Sequence, residues 1–296
     1  MTKAEKIDKL RNLTKAYVLY STCTRLPYIE CEQGSFYDQA FLFETKEDAE
    51  EAARNLCAEG NYAGAAELGV VEMPVPAGEP EETPDGKKRK FMRNQIREHL
   101  MRFPLMGLNA VYFKPAGEEG EVLDFDSVLP DVVKEQVDKE KEKADLSGLQ
   151  LTGMYFAQYL RRKNKDMQQL QEYAEEFHAN LVRANLFLPV IPEEGSENEQ
   201  RLNLMKCRLP YYTLQRPSEE GAEPDKGTFL ALFTNMDEVA AHCRKDPSKV
   251  RIVRIPFEEI PQIMRDPMIG CVIDPLSLSI PVRKDDIPVL VQNLKN

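Results

Sequence analysis

Short apolar runs alternate along the chain with longer stretches in which apolar residues return every third or fourth position. The runs predict strands at 17–22, 39–44, 69–75 and 108–113, and again at 186–191, 228–233, 250–256 and 271–274. Further extended segments surround Arg25-Leu26-Pro27-Tyr28 and Arg208-Leu209-Pro210-Tyr211. Helical spacing places Ile7, Leu10 and Leu13 on one side of a helix at 2–15. It also places Tyr155, Tyr159, Phe177 and Leu181 along a helical region at 152–184, with a break near Lys163-Asn164-Lys165. Further helices are expected at 46–58, 91–102, 236–244 and 257–265. Hairpin-like strand pairs with helices grouped between them predict an α+β fold with mixed sheets.

The same patterns occur twice, in the same order. CTRLPY at 23–28 matches CRLPY at 207–211. Phe41-Leu42-Phe43-Glu44-Thr45 running into Asp48 matches Ala231-Leu232-Phe233-Thr234-Asn235 running into Glu238. Thr45 and Asn235 are suited to accept a backbone N–H as N-caps, and an acid three places later suits the positive helix end. Val71-Glu72-Met73-Pro74 matches Val253-Arg254-Ile255-Pro256, and Met106-Gly107 matches Ile269-Gly270, each leading towards Pro115 or Pro275. Leu129-Pro130-Asp131 matches Ile287-Pro288-Val289, with proline in the first helical turn. The expectation is a tandem repeat related by a pseudo-two-fold: residues 1–137 as a divergent, acidic first copy, 138–151 as linker, and 152–296 as the second copy.

The length of 296 residues accommodates two such domains. The net charge of −11 argues against a general nucleic-acid binder, whose affinity would come from a basic surface. Residues 1–149 carry a net charge of −9 and residues 150–296 only −2, so the two surfaces should differ. No apolar run approaches the roughly 18 residues of a membrane span, and MTKAEKIDKLRNL lacks an apolar signal core. The expected location is the cytoplasm, and the six cysteines, without a CxxC pair, read as reduced thiols. The three histidines form no HxxxH or HxH pair, so no metal site is expected, and no cofactor.

Arg25 with Tyr28 and Arg208 with Tyr211 are the candidate binding residues. An arginine beside an aromatic ring can hold a carboxylate bidentately while stacking. The same segment also suits an edge strand fixed by Leu-Pro, with tyrosine in the core and arginine covering it. KKRK at 87–90 follows four acidic residues and reads as a self-neutralised loop. GAEPDKGT at 221–228 departs from a phosphate-binding loop because its lysine precedes the second glycine. His178 reads as a cap on a surface turn of helix, and His242 stands where the first copy has Ala52. The stretches 76–90, 192–201 and 217–227 read as mobile polar loops. No GxSxG, HExxH or GxGxxG occurs, and no catalytic residue is singled out.

LFLPV, FLALFTNMDEVAAH, RIVRIPFEEIPQIM and IGCVIDP, spread over about 152–296, resemble the amino-terminal domain of the SseB (enhanced serine sensitivity) family. AYVLY, QAFLFETKEDAEEA, GVVEMPV and MGLNAVYFKP resemble it more loosely, with Tyr20 where the second copy has Pro189 and about three residues inserted between Gly107 and Pro115. The resemblance implies a bacterial cytoplasmic protein and supplies no catalytic residues. The expected function is a non-enzymatic interaction or regulatory module with an unidentified protein partner, compatible with a homodimer. The alternative is a small-ligand binder or enzyme working at a cleft between the repeats.

Overall fold

The computed structural model describes residues 1–60, 68–73, 95–143, 145–193, 202–215, 226–244 and 249–295. The basic run at 87–90, the rest of 76–90, and most of 192–201 and 217–227 lie outside them. The chain divides into two units. Unit 1 comprises Met1–Thr22, Leu26–Ser147 and Arg161–Asn164; unit 2 comprises Cys23–Arg25, Gly148–Leu160 and Lys165–Asn296.

The first part of the chain forms α1 (Lys3–Asn12), β1 (Ala16–Ser21), β2 (Leu26–Pro27), β3 (Ile29–Cys31), β4 (Asp38–Phe43) and α2 (Lys46–Gly60). It continues through β5 (Leu68–Met73), α3 (Gln95–Leu105), β6 (Ala110–Lys114), β7 (Glu121–Asp124), α4 (Phe125–Val128) and α5 (Asp131–Lys143). The strands order as β5-β1-β4-β6-β7, with short β2 on β1 and β3 on β4. Among the described strands of this sheet only β4 and β6 run parallel. β4 is buried along nearly its whole length, as a central parallel strand covered on both faces must be. Phe41 and Phe43 pack with Tyr17, Leu19 and Tyr28 against Ala49 and Ala53 of α2.

The second part forms α6 (Ser147–Leu160), α7 (Met167–Arg183), β8 (Asn185–Val190), β9 (Tyr211–Gln215), β10 (Lys226–Leu232) and α8 (Met236–His242). After these come β11 (Arg251–Pro256), a 3-10 turn at Phe257–Glu259, α9 (Ile260–Ile263), β12 (Met268–Ile273), β13 (Ile280–Arg283) and α10 (Asp286–Lys295). One sheet orders as β13-β12-β10-β9, with β10 and β12 parallel, and a second pairs β8 with β11. The bridge between Phe187 and Phe233 joins β8 to the end of β10. The neighbours in unit 2 therefore run β11-β8-β10-β12-β13, the same pattern as β5-β1-β4-β6-β7. Phe229, Ala231, Phe233, Val239 and Val272 form its core cluster.

These mixed sheets with helices constitute the α+β fold read from the sequence. The helical break near 163–165 is present, between α6 and α7. The stretch 138–151 is occupied by the end of α5 and the start of α6. Two strands, β7 and β13, were not anticipated: Glu121–Asp124 and Ile280–Arg283 are too short and too mixed in polarity to show a period.

Pairing registers correct two of the alignments read from the letters. Gln39 lies opposite Ala110, and Phe229 lies opposite Gly270. Counted from the matched Phe43 and Phe233, Gly270 thus corresponds to Ala110. Gly107 sits outside β6 in a preceding turn with φ 93°. The three residues read as an insertion disappear once Ala110, not Gly107, is the counterpart. Likewise Ser21 pairs with Leu26 and Ile29 with Ala40, whereas Ile191 bridges Arg208 and Tyr211 pairs with Leu230. By register Arg208 corresponds to Leu26 and Tyr211 to Ile29, one residue away from the CTRLPY/CRLPY match.

Candidate functional site

The polar groups of each unit converge where its two parallel strands end and a helix begins. In unit 1, Thr45 caps α2: its Oγ1 accepts from the Asp48 N–H at 3.2 Å and donates to Asp48 Oδ2 at 2.6 Å. Lys114, the last residue of β6, reaches Asp48 Oδ1 at 2.6 Å. The Lys114 ammonium and the Thr45 hydroxyl together hold the Asp48 carboxyl below its ordinary range. Thr45→Ala is expected to lower the stability of unit 1 by about 1 kcal/mol. A urea titration that shows no shift of the midpoint would contradict this.

In unit 2 the chemistry at the same place is inverted. Asn235 caps α8 by accepting from the Glu238 N–H at 2.9 Å. The residue following β12 is Asp274, which is fully buried and adopts φ 44°. Its carboxylate accepts from the Thr234 N–H at 2.8 Å and from the Thr234 hydroxyl at 2.5 Å. Burial, reinforced by the Glu238 carboxyl, pushes Asp274 up to about 7. Burial also raises Glu238, against the opposing effects of Ser277, the Leu276 amide and the Arg25 charge. A basic side chain thus pairs with an acid in unit 1, where two acids share the site in unit 2. Asp274 has no exposed surface, so this carboxyl touches no solute. The sequence carried one signal for it: the residue before Pro115 is Lys114, and the residue before Pro275 is Asp274.

The sequence-predicted residues are placed unequally. Tyr28 is buried at 1% exposure, packs at a tilt against Phe41 with 5.8 Å between ring centres, and donates its hydroxyl to Glu30. Arg25 is exposed on the turn Cys23–Arg25 and adopts φ 55°. Arg25 and Tyr28 therefore do not form one exposed pair. Arg208 and Tyr211 are both exposed, Tyr211 at 57%. They flank Leu209, which is buried and pins the segment to the core. Arg208 exchanges both backbone hydrogen bonds with Ile191, at 2.8 and 3.0 Å. Arg265 donates to the carbonyls of Leu204 and Cys207, fixing the approach to Arg208. Met205, exposed at 53%, lies on that approach. The segment leads into β9, the edge of its sheet.

The two histidines of unit 2 serve packing. The His242 ring sits tilted against Phe233 at 5.2 Å and His178 lies beside Phe177; burial lowers both below the ordinary value. His178, half-buried on α7, is thus no surface cap. Among the described residues, no three His, Cys, Asp or Glu side chains are grouped as a metal site. No described helix is long and apolar enough to cross a membrane.

No curated protein matches the chain in sequence. Among solved structures, Tic22 from Anabaena, described as a protein-transport protein, is similar at 10% identity over 90% of this chain and 88% of its own, with a TM-score of 0.22. Tic22 from Plasmodium falciparum is similar at 11% identity over the whole of both chains, also with a TM-score of 0.22. Whole backbones superpose poorly at such scores. Residues 164–288, which contain every strand from β8 to β13, match the SseB protein N-terminal domain.

Proposed function

We propose that this chain is a non-enzymatic protein-interaction module in which two copies of an SseB-like unit are joined, and that unit 2 presents the partner-binding edge. The observation that carries the reading is the segment Met205–Tyr211. It places arginine, tyrosine and methionine in solvent on a backbone fixed by Arg265 and by the Ile191 bridge. These residue types dominate protein interfaces, and a rigid backbone avoids much of the ordering cost of binding. The shared neighbour order of the strands supports a duplication.

The double variant Arg208→Ala/Tyr211→Ala is expected to fold with a stability change within about 0.5 kcal/mol, because both side chains lie in solvent. It should also lose the partner that the unaltered chain retains in affinity capture. Arg25→Ala is expected to leave that capture intact. Equal recovery of the same partner by the double variant would overturn the reading.

A further inference from the structure

Among the described sheet edges, β9 alone has no guard against pairing with another strand. It ends its sheet, with no described strand beyond it. Ala231 donates to the Pro210 carbonyl at 3.1 Å, so these two form a hydrogen-bonded pair of the antiparallel ladder. Such pairs alternate along a ladder, and Tyr211, Thr213 and Gln215 therefore turn their backbone N–H and C=O groups away from β10. Tyr212 and Leu214 pack on the core cluster, whereas Tyr211 and Thr213 are exposed. Open edges are ordinarily blunted by charge or proline. Glu72 in β5, Asp124 in β7, Arg254 in β11 and Arg283 in β13 supply the charge at the other sheet ends. The β9 sequence, Tyr-Tyr-Thr-Leu-Gln, carries neither charge nor proline.

We propose that β9 pairs antiparallel with β9 of a second copy of this chain, about a two-fold axis at Thr213. The inference rests on the reading of the unit 2 edge as a partner site, and it names the partner. In this register Thr213 faces the partner's Thr213 and Tyr211 faces the partner's Gln215, each pair exchanging both backbone hydrogen bonds. A strand laid against its own copy brings like residues together near the axis, which suits an uncharged strand and penalises a charged one. Threonine opposite threonine is a favourable cross-strand pair. Tyr212 comes beside the partner's Leu214, which carries the apolar face of one sheet into the next. The contact uses the same surface on both chains and closes at two of them.

Sedimentation of the full chain at rising concentration reads the pairing, with Thr213→Lys as the opposing variant. Thr213 is exposed, so the fold accommodates lysine there, and two ammonium groups would meet at the axis. The unaltered chain should dimerise, and the variant should dimerise at least about tenfold more weakly. A second measurement tests the register and does not depend on that variant. Under oxidation, Thr213→Cys should give a disulfide-linked dimer above the background set by exposed Cys31, because Cα atoms facing each other in such a pair lie about 5.5 Å apart. Tyr211→Cys should not, because position 211 faces the partner's Gln215 instead of itself. Dimers that survive Thr213→Lys, or equal disulfide yield from both positions, would overturn the proposal. A chain that stays monomeric yet captures another protein through Arg208 and Tyr211 overturns self-pairing and leaves the edge reading standing. A monomer that captures nothing overturns both.

Discussion

Asp274→Asn is expected to stabilise unit 2 at pH 8 by about 2–4 kcal/mol, and to leave it nearly unchanged at pH 4. The reason lies in the buried carboxyl. Its folded-state value, about 7, stands above the ordinary 3.8, so the folded chain retains a proton that the unfolded chain gives up. The stability contributed by that proton is fully present below about pH 3.8 and is lost as the pH rises through 7. Asparagine keeps an acceptor for the Thr234 N–H, offers its amide to the Thr234 oxygen, and tolerates the positive φ. The charge that must otherwise be buried is removed. Urea titrations of both chains from pH 4 to 8 check the prediction. Destabilisation of the variant at every pH would mean that the ionised carboxylate is what the fold requires.

Unit 1 should respond to acid with the opposite sign. Asp48 is held low by Lys114 and Thr45, Glu72 by Lys15, and Glu118 by the chain's own ammonium. Stability from these groups is fully present above their ordinary values, 3.8 for Asp and 4.5 for Glu, and is lost as the pH falls from there through their lower folded-state values. Amide exchange resolved by residue would register both trends in one chain. Protection in β10 and β12 should rise from pH 7 to 5, and protection in β4 and β6 should fall below about pH 4.5.

Gly270→Ala is the second change with a large expected effect. An added Cβ would lie 2.2 Å from the Val282 carbonyl oxygen and 3.0 Å from the Arg283 Cα. Both are backbone atoms of β13, so no rotamer change relieves the overlap. The two strands would have to part, at a loss of about 3 kcal/mol or more. In unit 1 the corresponding residue is Ala110, which is fully buried and faces Asp124 of β7. A denaturation midpoint for Gly270→Ala within about 0.5 kcal/mol of the unaltered chain would show that β13 is not held there.

The junctions from strand to cap to helix were legible because they depend on neighbours in the chain. Thr45 and Asn235 cap α2 and α8, and their polarity breaks an apolar run at the right residue. Register was less legible. CTRLPY and CRLPY agree in letters, yet the turn Cys23–Arg25 and the approach to Arg208 deliver them one residue out of step. A single-residue slip inverts which side chains face the core. The slip alone does not set the burial of the two tyrosines, because Ile29, which occupies the register position of Tyr211, is itself buried. The Asp274–Glu238 pair was hidden for a different reason. Its two acids stand far apart in the chain, and only the parallel pairing of β10 with β12 brings them together. The strands β7 and β13 were hidden because four residues, one of them proline in β13, carry too little pattern.

The proposed binding of a protein partner through the unit 2 edge at Arg208 and Tyr211 is open to direct measurement. The most direct measurement places a photo-crosslinking phenylalanine derivative at Tyr211 in cells that make the protein, with a second chain carrying it at exposed Val132 of α5 for comparison. The account predicts one dominant protein adduct from position 211, absent from position 132 and lost when Arg208→Ala is added. No adduct from position 211, or the same adducts from both positions, would contradict it.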